Sequence, residues 1–446
     1  MPRTRRATAI RHTPATPTEV TGTLPPEAAP RPAAQRLNTP PDGGTWDRVV
    51  REVADDLAVD ALARDRAGKP PHDEAGRLRE AGLPALLTPP ATGTGADWRT
   101  ACAALREIAA ADGSLGELLA RHYVLSWSPR LLGTPESARN VERRALDGRW
   151  LWAGDVTLPD ADRAPETDPG LTLTPAGDGY VLDGQKSFAA GVTVADRLLI
   201  GAPDSRTGEP VVVTVDPGHP AVTAAPAHDR LGQRLTGAGT VRFDGVPIAR
   251  HDVVATVPRE EHDVPPCATL APLALRLALV HVGLGIAEGA LAEARDVIRR
   301  GAPPAWTAFE PDGGGYETRP DSDPYLLLHY GELVTAAHAA ASVAEPATRA
   351  LAGGLLAGQG LGVEERAEIA VLVAAAEAVT HRSALHVTTR LLELTEGAAA
   401  SADDPGLDRF WRNARVLTAR EASPRRFRDI GDHYLNGAQL PLTLRG

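Results

Sequence analysis

Apolar positions change their spacing twice along this chain. Over residues 46–149 they recur at every third or fourth place, the period of an amphipathic helix. Trp46 is followed by Val49, Val53 and Leu57, a second segment over Asp73–Ala81 stops at Gly82, and Leu105 with Ile108 marks a third ending near Gly113. Ser114-Leu115-Gly116-Glu117 has the form of a capping box and predicts a fourth helix through Leu119, His122 and Leu125. Thr134-Pro135 opens a fifth, with proline at the first helical position. From Trp150 the runs shorten: Leu171–Leu173, Tyr180–Leu182, Arg197–Ile200, Val211–Val215 and Thr240–Phe243 read as strands, with Asp183-Gly184 and Asp244-Gly245 as hairpin turns. No helix separates them, so residues 150–262 are expected to form an antiparallel β-barrel or sandwich and not parallel α/β units. Residues 263–446 return to helical texture. Leu270–Arg300, Asp323–Ala352, Val363–Leu394 and Leu407–Leu435 predict a four-helix bundle, with Pro346 kinking or breaking its second helix. The fold class is mixed α and β, mainly α.

Residues 1–45 fit none of these patterns. They hold nine prolines and no apolar period, a composition expected of a disordered Pro/Arg-rich tail. Lys+Arg 47 against Asp+Glu 58 gives a net charge of −11, which argues against a general nucleic-acid partner. Two cysteines, Cys102 and Cys267, cannot build a disulfide framework or a cysteine zinc site. No stretch reads as a membrane span of about 20 apolar residues. A cytoplasmic, enzyme-sized chain is the expectation.

Some strings imitate chemistry. Gly283-Leu284-Gly285-Ile286-Ala287-Glu288-Gly289 approximates a dinucleotide fingerprint, but it has one residue too many and lies in a helical pattern, where glycines serve close helix packing. Gly179 to Ser187 approximates a phosphate loop on a predicted hairpin, with no helix N-terminus to receive phosphate. The histidines show no helix-face pair with a carboxylate, so no metal site is expected.

Other strings occur in a telling order. Ala111-Asp112-Gly113-Ser114-Leu115-Gly116 precedes Arg121-His122-Tyr123; Gly232-Gln233-Arg234-Leu235-Thr236-Gly237-Ala238-Gly239-Thr240 precedes Phe243-Asp244. Asp323-Pro324-Tyr325, Tyr330-Gly331-Glu332-Leu333, Asp408-Arg409-Phe410-Trp411-Arg412-Asn413-Ala414-Arg415 and Tyr434-Leu435-Asn436-Gly437 follow. Together, from about Trp46 to Asn436, they resemble the acyl-CoA dehydrogenase superfamily, and within it the flavin-dependent monooxygenases of the dibenzothiophene monooxygenase type.

The resemblance implies FMN or FAD between the β region and the bundle, delivered in reduced form by a separate flavin reductase. It implies a C4a-hydroperoxide formed with O2, a small organic substrate, and a homo-oligomer, tetramer or dimer. Trp152, Asp155, Phe188, Ala190 and Gly191 fall on the two segments that flank the ring in relatives. Aromatic faces suit the ring, and Asp155 or backbone N–H groups suit its polar edge. Glu396 and Gly397 stand at a glycine-rich turn near the flavin's polar end. Arg412 and Arg415, three apart on one helix, offer either anion binding or ion pairs within the bundle. Trp306 follows Pro303-Pro304-Ala305, where relatives carry a phosphate-binding arginine.

Two further departures touch the chemistry. Ala190 replaces a serine and Arg420 replaces a histidine, leaving His122 as the candidate for handling protons. Glu421 stands where acyl-CoA dehydrogenases carry their catalytic base. The alternatives to a monooxygenase are therefore an FAD-dependent acyl-CoA dehydrogenase-type oxidation, or a flavin-poor relative used for binding or non-redox chemistry.

Overall fold

The computed structural model describes residues 43–87, 95–155, 170–258, 263–299, 323–399, 405–419 and 423–438. The Pro/Arg-rich tail expected over residues 1–45 lies outside them except for its last three residues, which begin a helix. Five helices come first: α1 (Gly43–Ala67), α2 (His72–Glu80), α3 (Trp98–Ala111), α4 (Gly113–Leu132) and α5 (Pro135–Gly148). On α1 the buried set Trp46, Val49, Val50, Ala54, Leu57 and Ala61 keeps the helical period, and Gly68 in the left-handed region ends the helix. Thr134 caps α5 as expected, its Oγ1 accepting from Ser137 N–H at 3.2 Å. The cap of α4 is Asp112 and not Ser114: its carboxylate accepts from Ser114 N–H at 3.0 Å, so the helix begins two residues early.

Two four-stranded sheets follow, with strands β1 (Trp152–Asp155), β2 (Thr172–Ala176), β3 (Gly179–Phe188), β4 (Arg197–Pro203), β5 (Pro210–Val215), β6 (Val222–Pro226), β7 (Gly239–Ile248) and β8 (Val253–Thr256). Their orders are β1-β4-β5-β8 and β2-β3-β7-β6. The sheets share a core of Leu173, Leu182, Phe188, Ile200, Val213 and Phe243, which makes a sandwich and not a closed barrel. One pair departs from the antiparallel expectation, since β1 runs parallel to β4. The expected turns at Asp183-Gly184 and Asp244-Gly245 are also absent. Both dipeptides lie opposite each other inside the β3–β7 ladder, where Asp244 and Gly245 bulge against Asp183 and Gly245 N–H reaches Asp183 Oδ1 at 2.8 Å.

The bundle comprises α6 (Leu270–Arg299), α7 (Pro324–Ala357), α8 (Val363–Ala399), α9 (Asp408–Thr418) and α10 (Ser423–Asn436). The expected fourth helix is thus two, and α7 runs on through Pro346. The central α6 packs against α3, α4, α7, α8 and α9. Its glycines are packing devices: a Cβ on Gly285 would stand 2.2 Å from Arg106 O, and one on Gly289 2.1 Å from Ala110 O. Contrary to the sequence expectation, Pro266–Arg299 is long and apolar enough to cross a membrane by length and composition, but 78% of its apolar window is buried inside the protein. An apolar circumference is what a central helix needs.

Candidate active site

β1 forms the edge of its sheet that faces the helices, and several contacts fix it. Leu151 N–H donates to Asp196 Oδ2 at 2.8 Å, and Arg79 of α2 donates to the same carboxylate at 2.8 Å. On the open edge, Trp152 N–H donates to His122 Nδ1 at 3.0 Å, and the opposite ring nitrogen, Nε2, donates to Pro84 O at 2.8 Å. Accepting at Nδ1 puts the ring proton on Nε2 and leaves the imidazole neutral. Burial pushes the His122 pKa down to about 4, against the milder upward pull of the Pro84 carbonyl. With both nitrogens held by backbone, His122 is a clamp between α4, β1 and the turn at Leu83–Ala85. The sequence makes it the candidate for handling protons; here both of its ring nitrogens are engaged by backbone groups.

The strand's backbone is drawn in tightly. Gly154 sits at φ 128°, and a Cβ there would meet Leu199 O at 2.0 Å. Gly191, at φ 81°, passes so close to β1 that its Cβ would stand 2.6 Å from the Cβ of Ala153. The turn after β3 and the end of β1 are therefore locked together.

At that end a small cleft of about 20 Å³ opens between β1, α4 and the start of α6, lined by Arg121, Val124, Leu125, Gly154, Asp155, Ala271, Pro272 and Leu275. Five of the lining side chains are apolar and two are charged. Asp155 Oδ2 lies 3.3 Å from Lys186 Nζ, which in turn stands 5.9 Å from the centre of the Phe188 ring. Arg121 Nε and Nη2 donate to Glu117 Oε1 at 2.9 and 2.8 Å, one helical turn away.

Of the site residues read from the sequence, the structure brings Asp155 to this cleft. Trp152 is 2% exposed and packs with Leu125, Val141 and Leu199, edge-on to Trp150. Phe188 is buried in the sandwich core, and Ala190 is buried in the main core beside it. Both rings are buried, Trp152 between strand and helix and Phe188 between the two sheets. Arg412 follows the ion-pair alternative: it meets Asp65 Oδ2 at 2.5 Å and Asp408 Oδ2 at 2.9 Å, and it donates to Leu231 O at 3.1 Å. Arg415, on the same helix, is exposed. Glu396 and Gly397 belong to the last turn of α8, not to a glycine-rich turn. Trp306, Arg420 and Glu421 lie outside the described residues.

Arg121, Lys186 and the apolar wall on α6 were missed. One signal was present: Glu117 and Arg121 form an i,i+4 charged pair on a helix that is buried along most of its length.

Residues 277–423 match the family model of the acyl-CoA dehydrogenase C-terminal domain. Dibenzothiophene monooxygenase of Rhodococcus qingshengii is 33% identical over 408 residues, covering 88% of this chain and 94% of that protein. A probable FMNH2-dependent monooxygenase of Pseudomonas putida, SfnC, is 29% identical over 90% of this chain and 96% of its own length. Among solved structures, FMN-bound TdsC from Paenibacillus sp. A11-2 is similar with a TM-score of 0.81 at 29% identity, covering 90% of this chain and 100% of that one. Butyryl-CoA dehydrogenase of Megasphaera elsdenii, at 18% identity and a TM-score of 0.71, shares the fold. Near full-length similarity at this identity settles the family: the chain belongs to the acyl-CoA dehydrogenase superfamily, among the flavin-dependent monooxygenases of the dibenzothiophene monooxygenase type.

Proposed function

We propose that this protein is a flavin-dependent monooxygenase that takes reduced FMN from a separate flavin reductase and uses O2 to oxygenate a small organic substrate. The cleft at the junction of β1, α4 and α6 carries this reading, because it lies between sandwich and bundle, where the resemblance implies the flavin. The residue types at this junction suit a ring's polar edge and apolar face. Gly154 and Asp155 give a flat backbone surface with one carboxylate, and Lys186 supplies a donor beside it for a polar ring edge. Val124, Leu125, Ala271, Pro272 and Leu275 form a wall that excludes water from the substrate side. When bound, reduced flavin would supply the electrons that activate O2. His122 holds β1 in register, and Glu117 orients Arg121 at the cleft's edge.

FMN is favoured over FAD by the relatives, one described as FMNH2-dependent and another solved with FMN. The dehydrogenase alternative rests on Glu421 alone. The apolar window of α6 is packed as in the core helix of a soluble protein, and the cytoplasm is its proposed compartment. Exposed Tyr325, Leu327 and Leu328 on α7, with Tyr434 and Leu435 on α10, support a homo-oligomer, dimer or tetramer.

Titration with oxidised and reduced FMN and FAD, then oxygen uptake with a reductase present, tests the assignment. Colourless protein that binds reduced FMN more tightly and consumes O2 only with the reductase supports it. Protein that purifies yellow and keeps FAD through gel filtration would favour the dehydrogenase, and failure to bind either flavin leaves the flavin-poor relative.

A further inference from the structure

We propose that an internal water molecule bridges Glu377 and Thr380 and completes the joint by which α8 holds α6 and α10. The site is independent of the flavin reading. Glu377 is 1% exposed, and its two carboxylate oxygens are served unequally. Oε2 accepts from Nε of Arg276 on α6 at 2.8 Å and from Nη2 of the same guanidinium, while Arg426 Nε of α10 stands 3.3 Å from it. Oε1 is buried and accepts from no donor among the described residues. A buried carboxylate oxygen left in that condition carries the desolvation cost of a charged group.

Thr380, one turn further along the same face, repeats the pattern. A helical threonine commonly bonds its hydroxyl to the carbonyl four residues back, and buried Thr348, Thr388 and Thr395 do so at 2.9, 2.8 and 2.7 Å. Thr380 is 0% exposed, yet its Oγ1 makes no such bond. Its methyl takes the side toward α6, where a Cβ on Gly283 would stand 3.2 Å from Cγ2. Charge narrows what can join the two side chains. A cation would stand beside Arg276 and Arg426, and an anion would face Oε1. Water is small and neutral, and it can donate to Oε1 while accepting from Thr380 Oγ1. His381, 5% exposed and next on the same face, supplies a third polar group; burial holds its pKa below the ordinary value, so it adds no charge at neutral pH. The bridge bears on α10 because none of that helix's described side chains is buried. Arg426 beside Glu377, and Arg382 of α8 lying 5.5 Å over the Phe427 ring, fasten it.

A high-resolution crystal structure of the full chain is expected to show a water within about 2.5–3.0 Å of both Glu377 Oε1 and Thr380 Oγ1. A dry gap, a direct bond between the two side chains, a Thr380 hydroxyl returned to Ala376 O, or an ion in that place would each overturn the proposal. In solution, Thr380→Val keeps the shape and removes the hydroxyl, and Thr388→Val does the same to a threonine bonded within its own helix. The urea midpoint is expected to fall further in Thr380→Val than in Thr388→Val, with faster amide exchange over residues 426–436 in Thr380→Val alone. A midpoint that rises, holds, or falls no further than in Thr388→Val would overturn the proposal, since the hydroxyl would then be idle in a dry core. Unchanged exchange in α10 would overturn it too. The wild-type crystal structure decides the matter should either variant fail to fold.

Discussion

His122 gives the sharpest test of whether the site is held by a neutral clamp. Consider His122→Gln, whose side-chain carbonyl can accept from Trp152 N–H while its amide donates to Pro84 O. At pH 7.5 both folded and unfolded imidazoles are neutral, so the variant differs from the wild type mainly by imperfect geometry, about 1–2 kcal/mol. On acidification the unfolded histidine takes up its proton near pH 6.5, whereas the folded one refuses it until about pH 4. The unfolded state therefore gains free energy over this window, and wild-type stability falls with pH. Each pH unit between the two values is worth about 1.4 kcal/mol, so the loss reaches about 2 kcal/mol at pH 5 and about 3 kcal/mol at pH 4. Glutamine has no such term. The other titrating groups, including buried His281 and His381, are common to both proteins and cancel in the difference. Urea unfolding of both proteins at pH 7.5, 6 and 5 should thus show the stability gap shrinking by about 2 kcal/mol, with the acid limb of turnover unchanged. A gap that stays constant or widens would refute the neutral clamp, and a displaced acid limb would restore His122 as a proton carrier.

Three other outcomes are expected from the packing. Arg412→Ala leaves the buried Asp65 carboxylate with Arg234 at 4.0 Å and should cost up to about 3–5 kcal/mol in denaturant unfolding, whereas a phosphate-binding role would weaken FMN affinity and spare stability. Gly289→Ala drives a Cβ into the Ala110 carbonyl, so about 1–3 kcal/mol of overpacking should separate α3 from α6. Cys102 on α3, buried and with its pKa pushed up to about 12, should resist thiol reagents at pH 8 in the wild type and label faster in that variant. Asp112→Ala removes the α4 cap and a partner of Arg64, costing about 1 kcal/mol for the cap alone. Asp112→Asn, whose carbonyl still accepts, should cost less by thermal unfolding.

Periodicity exposed the helices because each pattern is local: Val49 and Leu57 share a face wherever the rest of the chain goes. Strand partners were less legible. Asp183-Gly184 has the composition of a hairpin turn, yet a bulge needs the same residues, and only the register of β7 distinguishes them. Trp152 to Asp155 carried no sign of a parallel partner, since that pairing depends on Asp196 and Arg79, far away in sequence. At the site, the resemblance points to β1 and the turn after β3, whose aromatic rings are buried in this structure. Trp152 lies on a strand that lines the cleft and Phe188 on β3, whose Lys186 pairs with the cleft's Asp155, and the side chains of both are turned into the core. Sequence position predicts proximity well and side-chain direction poorly.

That asymmetry explains how the chain accommodates its own departures. The path of β1 is set by backbone groups and by residues remote from the cleft: the Trp152 N–H on His122, the Leu151 N–H on Asp196, and the close passage of Gly191 against Ala153. None of these contacts involves the side chain of Ala190, Asp155 or Arg121. A serine exchanged for Ala190 therefore changes which donors exist near the strand without changing where the strand runs. Arg121 likewise enters from α4, a helix fixed by the Asp112 cap and by the bond from the Tyr123 hydroxyl to Leu83 O at 2.9 Å. Framework and chemistry rest on separate residues here, so the lining of the cleft can be exchanged one side chain at a time while the strand that supports it stays in place.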